Sequence, residues 1–162
     1  DLMKLTGTKV SVVAECSGID GTWGLRAENL DISRKVAKKM ADACENYARG
    51  KGWKIIVAIV DSGGELKQFT RMDDSFLISV GISQAKAGTS ASIPVSSRQF
   101  GEIAKKDAVG IEFTPNTATF PGGLPIMAGS VHIGGIGVSG ATGDQDEECA
   151  KVALEAVKDT LK

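Results

Sequence analysis

One lysine of this sequence lies in a segment whose other residues are small, apolar or uncharged. Residues 82–88 read ISQAKAG, and Lys86 carries the only charge among them. A buried ammonium without a partner is costly or loses its proton. If the segment packs as a helix, a carboxylate must therefore approach Lys86. Asp61, Asp73, Asp146 and the acid group of a ligand are the candidates, and extension of the stem to the surface is the alternative.

A proline- and glycine-rich bend forms the second half of the predicted site. Residues 120–125 read FPGGLP, and Gly122 and Gly123 let a flat ligand approach the backbone closely. We predict a pocket where this bend and a glycine-rich strand approach Lys86, with Phe120 in the same site. The hypothesis is that a ligand carboxylate supplies at least part of the charge that faces Lys86.

His132 is the only histidine of the chain, which excludes a metal site with several histidines from one copy of the chain. It lies in an alternating stretch typical of a strand, where a histidine is most often structural. A role as a ligand-binding residue or general base stays open. No residue is assigned as catalytic.

A glycine motif and an acidic cluster invite two further interpretations. Residues 135–140 read GIGVSG, which matches G-x-G-x-x-G, but no strand can follow the last predicted helix to complete a dinucleotide-binding unit. Close packing of a glycine-rich strand is the simpler explanation. Acids at 144 and 146–148 favour stabilisation of a helix N-terminus over metal binding, so no metal is predicted.

Composition narrows the class of protein. The formal net charge is −1, so neither nucleic acid nor an anionic membrane surface is an expected partner. The sequence has no apolar run long enough to span a bilayer. Three scattered cysteines, an odd number, indicate neither a disulfide scaffold nor a zinc site. A reducing compartment, the cytoplasm, is the expected location.

Helix and strand signals alternate in an order typical of an α+β fold. A helix is predicted from an N-cap at Asp31 to residue 49, then a hairpin over 54–71, and a helix from residues 73–75 to 89 with Ile78, Ile82 and Ala85 inward. S-x-x-Q at residue 96 and T-x-x-Q at residue 142 predict capping boxes. Two strands are predicted within 126–139. The first and last helices should pack together on one face of an antiparallel sheet.

Residues 30–161 resemble the GlcG/HbpS-like haem-binding and haem-degrading family, which also forms the C-terminal domain of PduO-type proteins. The resemblance rests on segments in the same order and spacing. These are residues 57–66 (VAIVDSGGEL), 69–73 (FTRMD), 83–87 (SQAKA), 120–125 (FPGGLP), 135–140 (GIGVSG) and 145–146 (QD).

That resemblance implies a profilin-like fold, assembly as dimers or larger oligomers, and haem as a cofactor. PduO-type members are described with a histidine that ligates the haem iron. In this sequence His132 is the only histidine, and Thr119, Met72 and Met127 are alternative ligands among which the sequence does not choose.

The first residues resemble a different domain. Residues 10–28 contain a predicted short strand and a loop, and are similar to a fragment of the cysteine-rich domain of the iron–sulfur proteins that belong to glycerol-3-phosphate dehydrogenase complexes. Cys16 is the one cysteine there, and a single thiolate does not hold a cubane cluster. The predicted division is an extension or remnant over 1–28 and a GlcG/HbpS-like domain over 29–162.

Three functions fit these observations. The first is an accessory protein that binds haem or another small molecule, in haem or iron handling or in the catabolism of a small acid. The second is an enzyme acting on a hydroxy- or oxo-acid, in which Lys86 holds the acid group and His132 or Asp146 moves a proton. The third is an assembly module. A homo-oligomer, at least a dimer, is expected in each case.

Overall fold

The computed structural model of the chain describes the backbone of residues 27–161 and the side chains of residues 34–161. The predicted strand and loop within residues 10–28, and their resemblance to an iron–sulfur domain, lie outside the described residues. The division at residue 28 stays a prediction.

The centre of the fold is a four-stranded antiparallel sheet, as predicted. Its strands are β1 (Ile56–Asp61), β2 (Leu66–Arg71), β3 (Gly123–Ala128) and β4 (Val131–Ser139), in the spatial order β2-β1-β4-β3. β1 lies inside the sheet and all six of its residues are buried. This explains its unbroken run of apolar residues, because both faces of the strand are covered.

The predicted hairpin joins β1 to β2. Asp61 fixes the turn, because its Oδ1 accepts hydrogen bonds from the backbone N–H groups of Gly63 and Glu65, both at 2.9 Å. Its Oδ2 lies 3.1 Å from Nζ of Lys67. Asp61 therefore serves the turn and is not a partner of Lys86.

Two helices pack together on one face of the sheet, which confirms the prediction. These are α1 (Ala27–Lys51) and α4 (Gly143–Val157), which share one apolar core with alternate residues of the central strands. Val57 and Ile59 of β1 point into this core, and Ala58 and Val60 point to the opposite face. α1 begins four residues before Asp31, so Asp31 lies inside the helix and the predicted N-cap was wrong.

A disulfide between Cys44 and Cys149 joins these two helices. Their Cα atoms are 5.1 Å apart and the residues are separated by 105 positions in the chain. The cysteine pattern indicated no disulfide scaffold, and this single bond was not predicted. The pairing depends on how α1 packs against α4, and neither the number nor the spacing of the cysteines reveals it.

The opposite face of the sheet is covered by α2 (Ile78–Ser92). The prediction of the inward residues was wrong for Ile78, which is exposed, while Ile82 and Ala85 are half-buried. The residues that the structure buries include Ser79, Ser83, Lys86 and Ser90. β4 is glycine-rich here and brings its backbone against the helix. A Cβ added to Gly137 would lie 2.0 Å from the carbonyl oxygen of Ser83. Such a close approach explains the glycine motif without a phosphate.

Of the three predicted N-terminal caps, that of α2 was wrong, and those of α3 and α4 are confirmed. α2 has Leu77 at its N-cap and no capping side chain, so residues 73–75 do not cap it. α3 (Ser97–Lys106) begins with a capping box between Ser96 and Gln99. α4 begins with the equivalent box between Thr142 and Gln145.

Across residues 27–161, no helix has the length and apolar character needed to cross a membrane.

Candidate functional site

Lys86 is buried and paired with Asp146, one of the three carboxylates that the sequence offered. Its side chain is 1 % exposed. Nζ donates to Oδ2 of Asp146 at 2.8 Å and to the carbonyl oxygen of Val138 at 2.7 Å. The partner comes from α4, 60 residues further along the chain, so the pair joins α2 to the N-terminus of α4.

Three interactions hold Asp146 in place. Its Oδ1 accepts from the backbone N–H of Ala141 at 3.0 Å, its Oδ2 accepts from Lys86, and its position near the start of α4 favours a negative charge through the helix dipole. Burial nevertheless raises the pKa of Asp146, against the charge and hydrogen bond of Lys86 and the backbone hydrogen bonds. Burial lowers the pKa of Lys86, and Asp146 opposes that shift only in part.

The glycines of the bend make room for this ion pair. A Cβ added to Gly122 would lie 2.6 Å from Nζ of Lys86 and 2.7 Å from the carbonyl oxygen of Val138, and Gly122 has a φ of +121°. A Cβ added to Gly123 would lie 2.5 Å from the carbonyl oxygen of Lys86. The space that we predicted for a flat ligand is therefore occupied by protein atoms at these two positions.

Phe120 covers the ammonium from outside. Its ring centroid lies 5.2 Å from Nζ of Lys86, a distance at which a cation and an aromatic face attract. The ring is also 44 % exposed. Among the predicted site residues, Phe120 therefore lies close to the buried ammonium and is also exposed to solvent.

Sequence reasoning missed the residue that fixes the bend. Oγ of Ser97 donates to the carbonyl oxygen of Phe120 at 2.7 Å and accepts from the backbone N–H of Gly123 at 2.9 Å. Ser97 follows the N-cap of α3, and its sequence context indicates only the start of a helix. Hydrogen bonds between elements distant in the chain leave no local spacing to detect.

His132 lies apart from the other predicted site residues, towards the opposite end of β4 from Val138. Its Nε2 is 2.9 Å from the carbonyl oxygen of Ser90 and 3.0 Å from that of Gly134. Carbonyl oxygens only accept, so Nε2 carries the proton and donates. This nitrogen has no lone pair for an iron atom, and His132 does not fit haem ligation through Nε2. The other residues considered as iron ligands differ in access, because Met72 is buried and Met127 is partly exposed.

Two of the acids near Asp146 form salt bridges, Asp144 and Glu147. Arg98 pairs with Asp144 and, at 2.9 Å, with Glu147, which also accepts from Lys151 at 2.7 Å. Burial raises the pKa of Glu147, but hydrogen bonds and charges from Lys151 and Arg98 outweigh it, and the net pKa is lowered. Among residues 34–161, no group of three or more histidine, cysteine or acidic side chains is arranged to hold a metal ion.

The single antiparallel sheet, with α1 and α4 on one face and α2 on the other, defines a small α+β domain of the profilin-like class. The model of the family described as "Haem degrading protein HbpS-like" matches residues 32–155. The chain belongs to this HbpS-like family, as the resemblance of the sequence segments implied.

Two relatives illustrate the similarity in sequence. An uncharacterised 15.0 kDa protein of the dhaT-dhaS intergenic region of Citrobacter freundii is 34 % identical over 128 residues, which covers 76 % of this chain and 90 % of that protein. Protein GlcG of Escherichia coli K12 is 33 % identical over 108 residues, covering 67 % of this chain and 81 % of that protein.

Solved structures share the fold. Protein ORFY of Klebsiella pneumoniae superposes with a TM-score of 0.74 at 30 % identity, covering 77 % of this chain and 89 % of that chain. A PduOC:haem complex gives 0.72 at 25 % identity, with coverage of 75 % and 91 %. HbpS gives 0.73 at 28 % identity, with coverage of 76 % and 88 %.

Proposed function

We propose that this protein is an accessory protein that binds haem or a related flat, carboxylate-bearing molecule at the bend of Phe120. Membership of a haem-related family supports the class of ligand. The proposed position of the ligand site rests on one observation, which is that the half-exposed ring of Phe120 lies over the buried ammonium of Lys86.

In this proposal the exposed side of Phe120 is the stacking surface for the ligand. An ammonium has three N–H donors. In Lys86, two of them bind Oδ2 of Asp146 and the carbonyl oxygen of Val138. Phe120 and Lys86 would hold such a ligand, Phe120 by stacking and Lys86 by donating its third N–H to a carboxylate group of the ligand. Gly122 and Gly123 act indirectly, because they let the ion pair lie beneath the bend.

His132 enters the proposal as a residue that ties β4 to α2, and the haem iron is not ligated through its Nε2. Bound haem would supply its iron and its characteristic absorption of visible light. Nδ1 keeps a lone pair in this tautomer, so His132→Ala tests the remaining ring nitrogen, and an unchanged position of the haem absorption band would exclude His132 as a ligand. A shifted band would restore His132 as a ligand.

Visible absorbance during titration with haem tests the proposal. Phe120→Ala should weaken binding roughly tenfold, because it removes a stacking surface whose contribution corresponds to about one factor of ten in affinity. Phe113→Ala is the control, since this phenylalanine is more exposed than Phe120, at 83 %, and lies outside the bend. Equal affinity of the wild-type protein and Phe120→Ala, or no binding by either, would contradict the proposal.

The competing candidate is an enzyme that acts on a small hydroxy- or oxo-acid. The shifted pKa values of Lys86 and Asp146 favour it, because such pairs are concentrated at reactive sites. It predicts turnover of an added acid without haem, and turnover that disappears in Asp146→Asn. Haem binding without turnover selects the accessory protein.

We also propose that the chain works as a homodimer or larger homo-oligomer. Large apolar side chains are exposed on its surface, and burial against a second copy would remove them from water. The cytoplasm is the location proposed from the sequence, and the Cys44–Cys149 disulfide is the observation that speaks against it, because disulfides are rare in a reducing compartment. Cell fractionation decides between a reducing and an oxidising location.

A further inference from the structure

Lys86 combines three features of a lysine that can act as a nucleophile. Its side chain is 1 % exposed, and a carboxylate oxygen of Asp146 lies 2.8 Å from Nζ. The half-exposed ring of Phe120 lies over the same nitrogen. Lysines that form covalent bonds with carbonyl compounds are desolvated or lie beside another ionisable group. Binding a ligand through its positive charge leaves this second capacity of Lys86 unused.

The amine is buried but lies close to the surface. A Cβ added to Gly122 would lie 2.6 Å from Nζ, so glycine at this position keeps side-chain atoms away from the amine. The ring centroid of Phe120 is 5.2 Å from Nζ, and Phe120 is 44 % exposed. The side chain that covers the amine therefore contacts solvent itself, and a small molecule has a short distance to cross.

We propose that Lys86 condenses with a small aldehyde to form an iminium, with Asp146 as the proton carrier. The C–N bond forms as the carbonyl double bond opens, and the C–O bond then breaks to release water. Asp146 carries two of the three ammonium protons in turn to the oxygen, and the third proton stays on nitrogen. Atoms and charge balance without an oxidant or a reductant, and the iminium keeps a positive charge beside Asp146.

The surroundings of Nζ favour both the proton transfer and the class of substrate. The proton can pass along the hydrogen bond that already joins Nζ to Asp146, and burial helps because it raises the pKa of Asp146 and lowers that of Lys86. The close packing at Gly122 favours an aldehyde over a ketone, since a ketone carries a second substituent on its carbonyl carbon.

This reaction goes beyond the proposed binding of haem and does not require it. It is measured on the protein without haem, through a covalent product instead of an absorption band. The failure of either proposal can therefore be observed separately.

Reductive trapping of the full-length wild-type chain with acetaldehyde and cyanoborohydride at neutral pH tests the proposal. The reductant converts an iminium into a stable N-ethyl group, and mass spectrometry of peptides identifies the modified lysine. The α-amino group of the chain reacts in any protein, because its pKa is low, and it is left out of the comparison.

Lys38 is the matched comparison within the same chain. It also lies beside an aspartate, with Nζ 2.7 Å from Asp42, but its side chain is 65 % exposed. Lys86 should be modified at least roughly tenfold faster than Lys38, because a positioned proton carrier in a desolvated site accelerates such a step by more than this factor. Equal or slower modification of Lys86 would overturn the proposal.

The same measurement in denaturant shows whether the fold activates Lys86. Both lysines are then surrounded by solvent, so the preference for Lys86 should disappear. A preference that persists in the unfolded chain would overturn the role of burial and of Asp146.

Two variants test the roles of Asp146 and Phe120, with circular dichroism to verify that each is folded. Asp146→Asn should slow the modification of Lys86 by roughly a hundredfold, because an amide does not carry the proton. Phe120→Ala should accelerate it, since the cover over the amine is removed. A folded Asp146→Asn variant that reacts at the wild-type rate would overturn the proton carrier, and slower reaction of Phe120→Ala would overturn entry beside the ring. The comparison of Lys86 with Lys38 in the wild-type protein depends on neither variant.

Discussion

At Lys86, burial and pairing act in opposite directions on one charge. Desolvation disfavours the ammonium, while Asp146 and the carbonyl oxygen of Val138 favour it. A buried ion pair adds little net stability compared with apolar packing, but losing one partner leaves the other charge buried alone. The pair therefore fixes how α2 and α4 meet more than it stabilises the fold, and it keeps a charge beneath Phe120.

Lys86→Met should lower the free energy of unfolding by about 3–5 kcal/mol at neutral pH, because Asp146 stays buried without its partner. Urea denaturation measures this loss. Lys38→Met is the matched control, since Lys38 forms an exposed salt bridge with Asp42 and should change stability by about 1 kcal/mol or less. Equal effects of the two substitutions would contradict the description of Lys86 as a buried, paired charge.

The same variant should change how stability depends on alkaline pH. The pKa of Lys86 lies below its ordinary value of 10.5 in the folded chain. At pH values between the lowered pKa and 10.5, Lys86 is more often protonated in the unfolded chain than in the folded chain. The free energy of unfolding therefore rises with pH in this range. Lys67, whose pKa burial also lowers, contributes in the same direction. Lys86→Met should therefore reduce this rise without abolishing it, and an identical slope in both proteins would contradict the lowered pKa.

At the scale of elements, the contact between β4 and α2 depends on glycine. Atoms of the α2 backbone leave no room for a Cβ at Gly137. They leave none at Gly135 either, where an added Cβ would lie 2.3 Å from the carbonyl oxygen of Ala87. Backbone atoms cannot move aside as a flexible side chain can. The helix therefore lies close to the sheet, and this places Lys86 within reach of Val138.

Gly137→Ala should destabilise the protein by about 1–3 kcal/mol, the range for overpacking a closed core. Gly81→Ala is the matched control, because a Cβ added there meets no atom within 4 Å. That substitution should stabilise α2 by about 0.5–1 kcal/mol through its helix propensity. Thermal unfolding of both variants measures the difference, and similar melting temperatures would contradict the close contact.

Local signals predicted most elements, and the packing of α1 against α4 was also predicted correctly, but the contacts around α2 were not. Ser96 and Thr142 each carry their capping box within four residues, so the starts of α3 and α4 could be read from the sequence. The inward face of α2 could not, because its direction depends on the glycines of β4. Asp146 was one of three candidate partners for Lys86, and only the packing of α4 selects it.

At the scale of the whole molecule, the sheet separates two different interiors. The side that carries α1 and α4 holds the large apolar core, and the side that carries α2 holds few apolar residues together with buried serines and the ion pair. Stability therefore comes mainly from the first side. The candidate ligand site includes Lys86 of α2, so the proposed function lies on the side with the smaller apolar core.

The disulfide between Cys44 and Cys149 closes a loop that contains most of the domain. It joins α1 to α4 across 105 positions, so it restricts the unfolded chain over a long loop. Reduction should lower the free energy of unfolding by about 2–4 kcal/mol, the usual range for a native disulfide. Urea denaturation with and without a reductant measures this change.

Thiol labelling of the unfolded chain supplies the matching control. The chain has three cysteines, of which the disulfide uses two. Alkylation in denaturant without reductant should therefore modify at most one cysteine per chain, and alkylation after reduction should modify all three. In Cys44→Ala/Cys149→Ala, the reductant should no longer affect stability, because no bond remains to be broken. Three alkylated cysteines in the unreduced wild-type protein would show that the two helices are held together by packing alone.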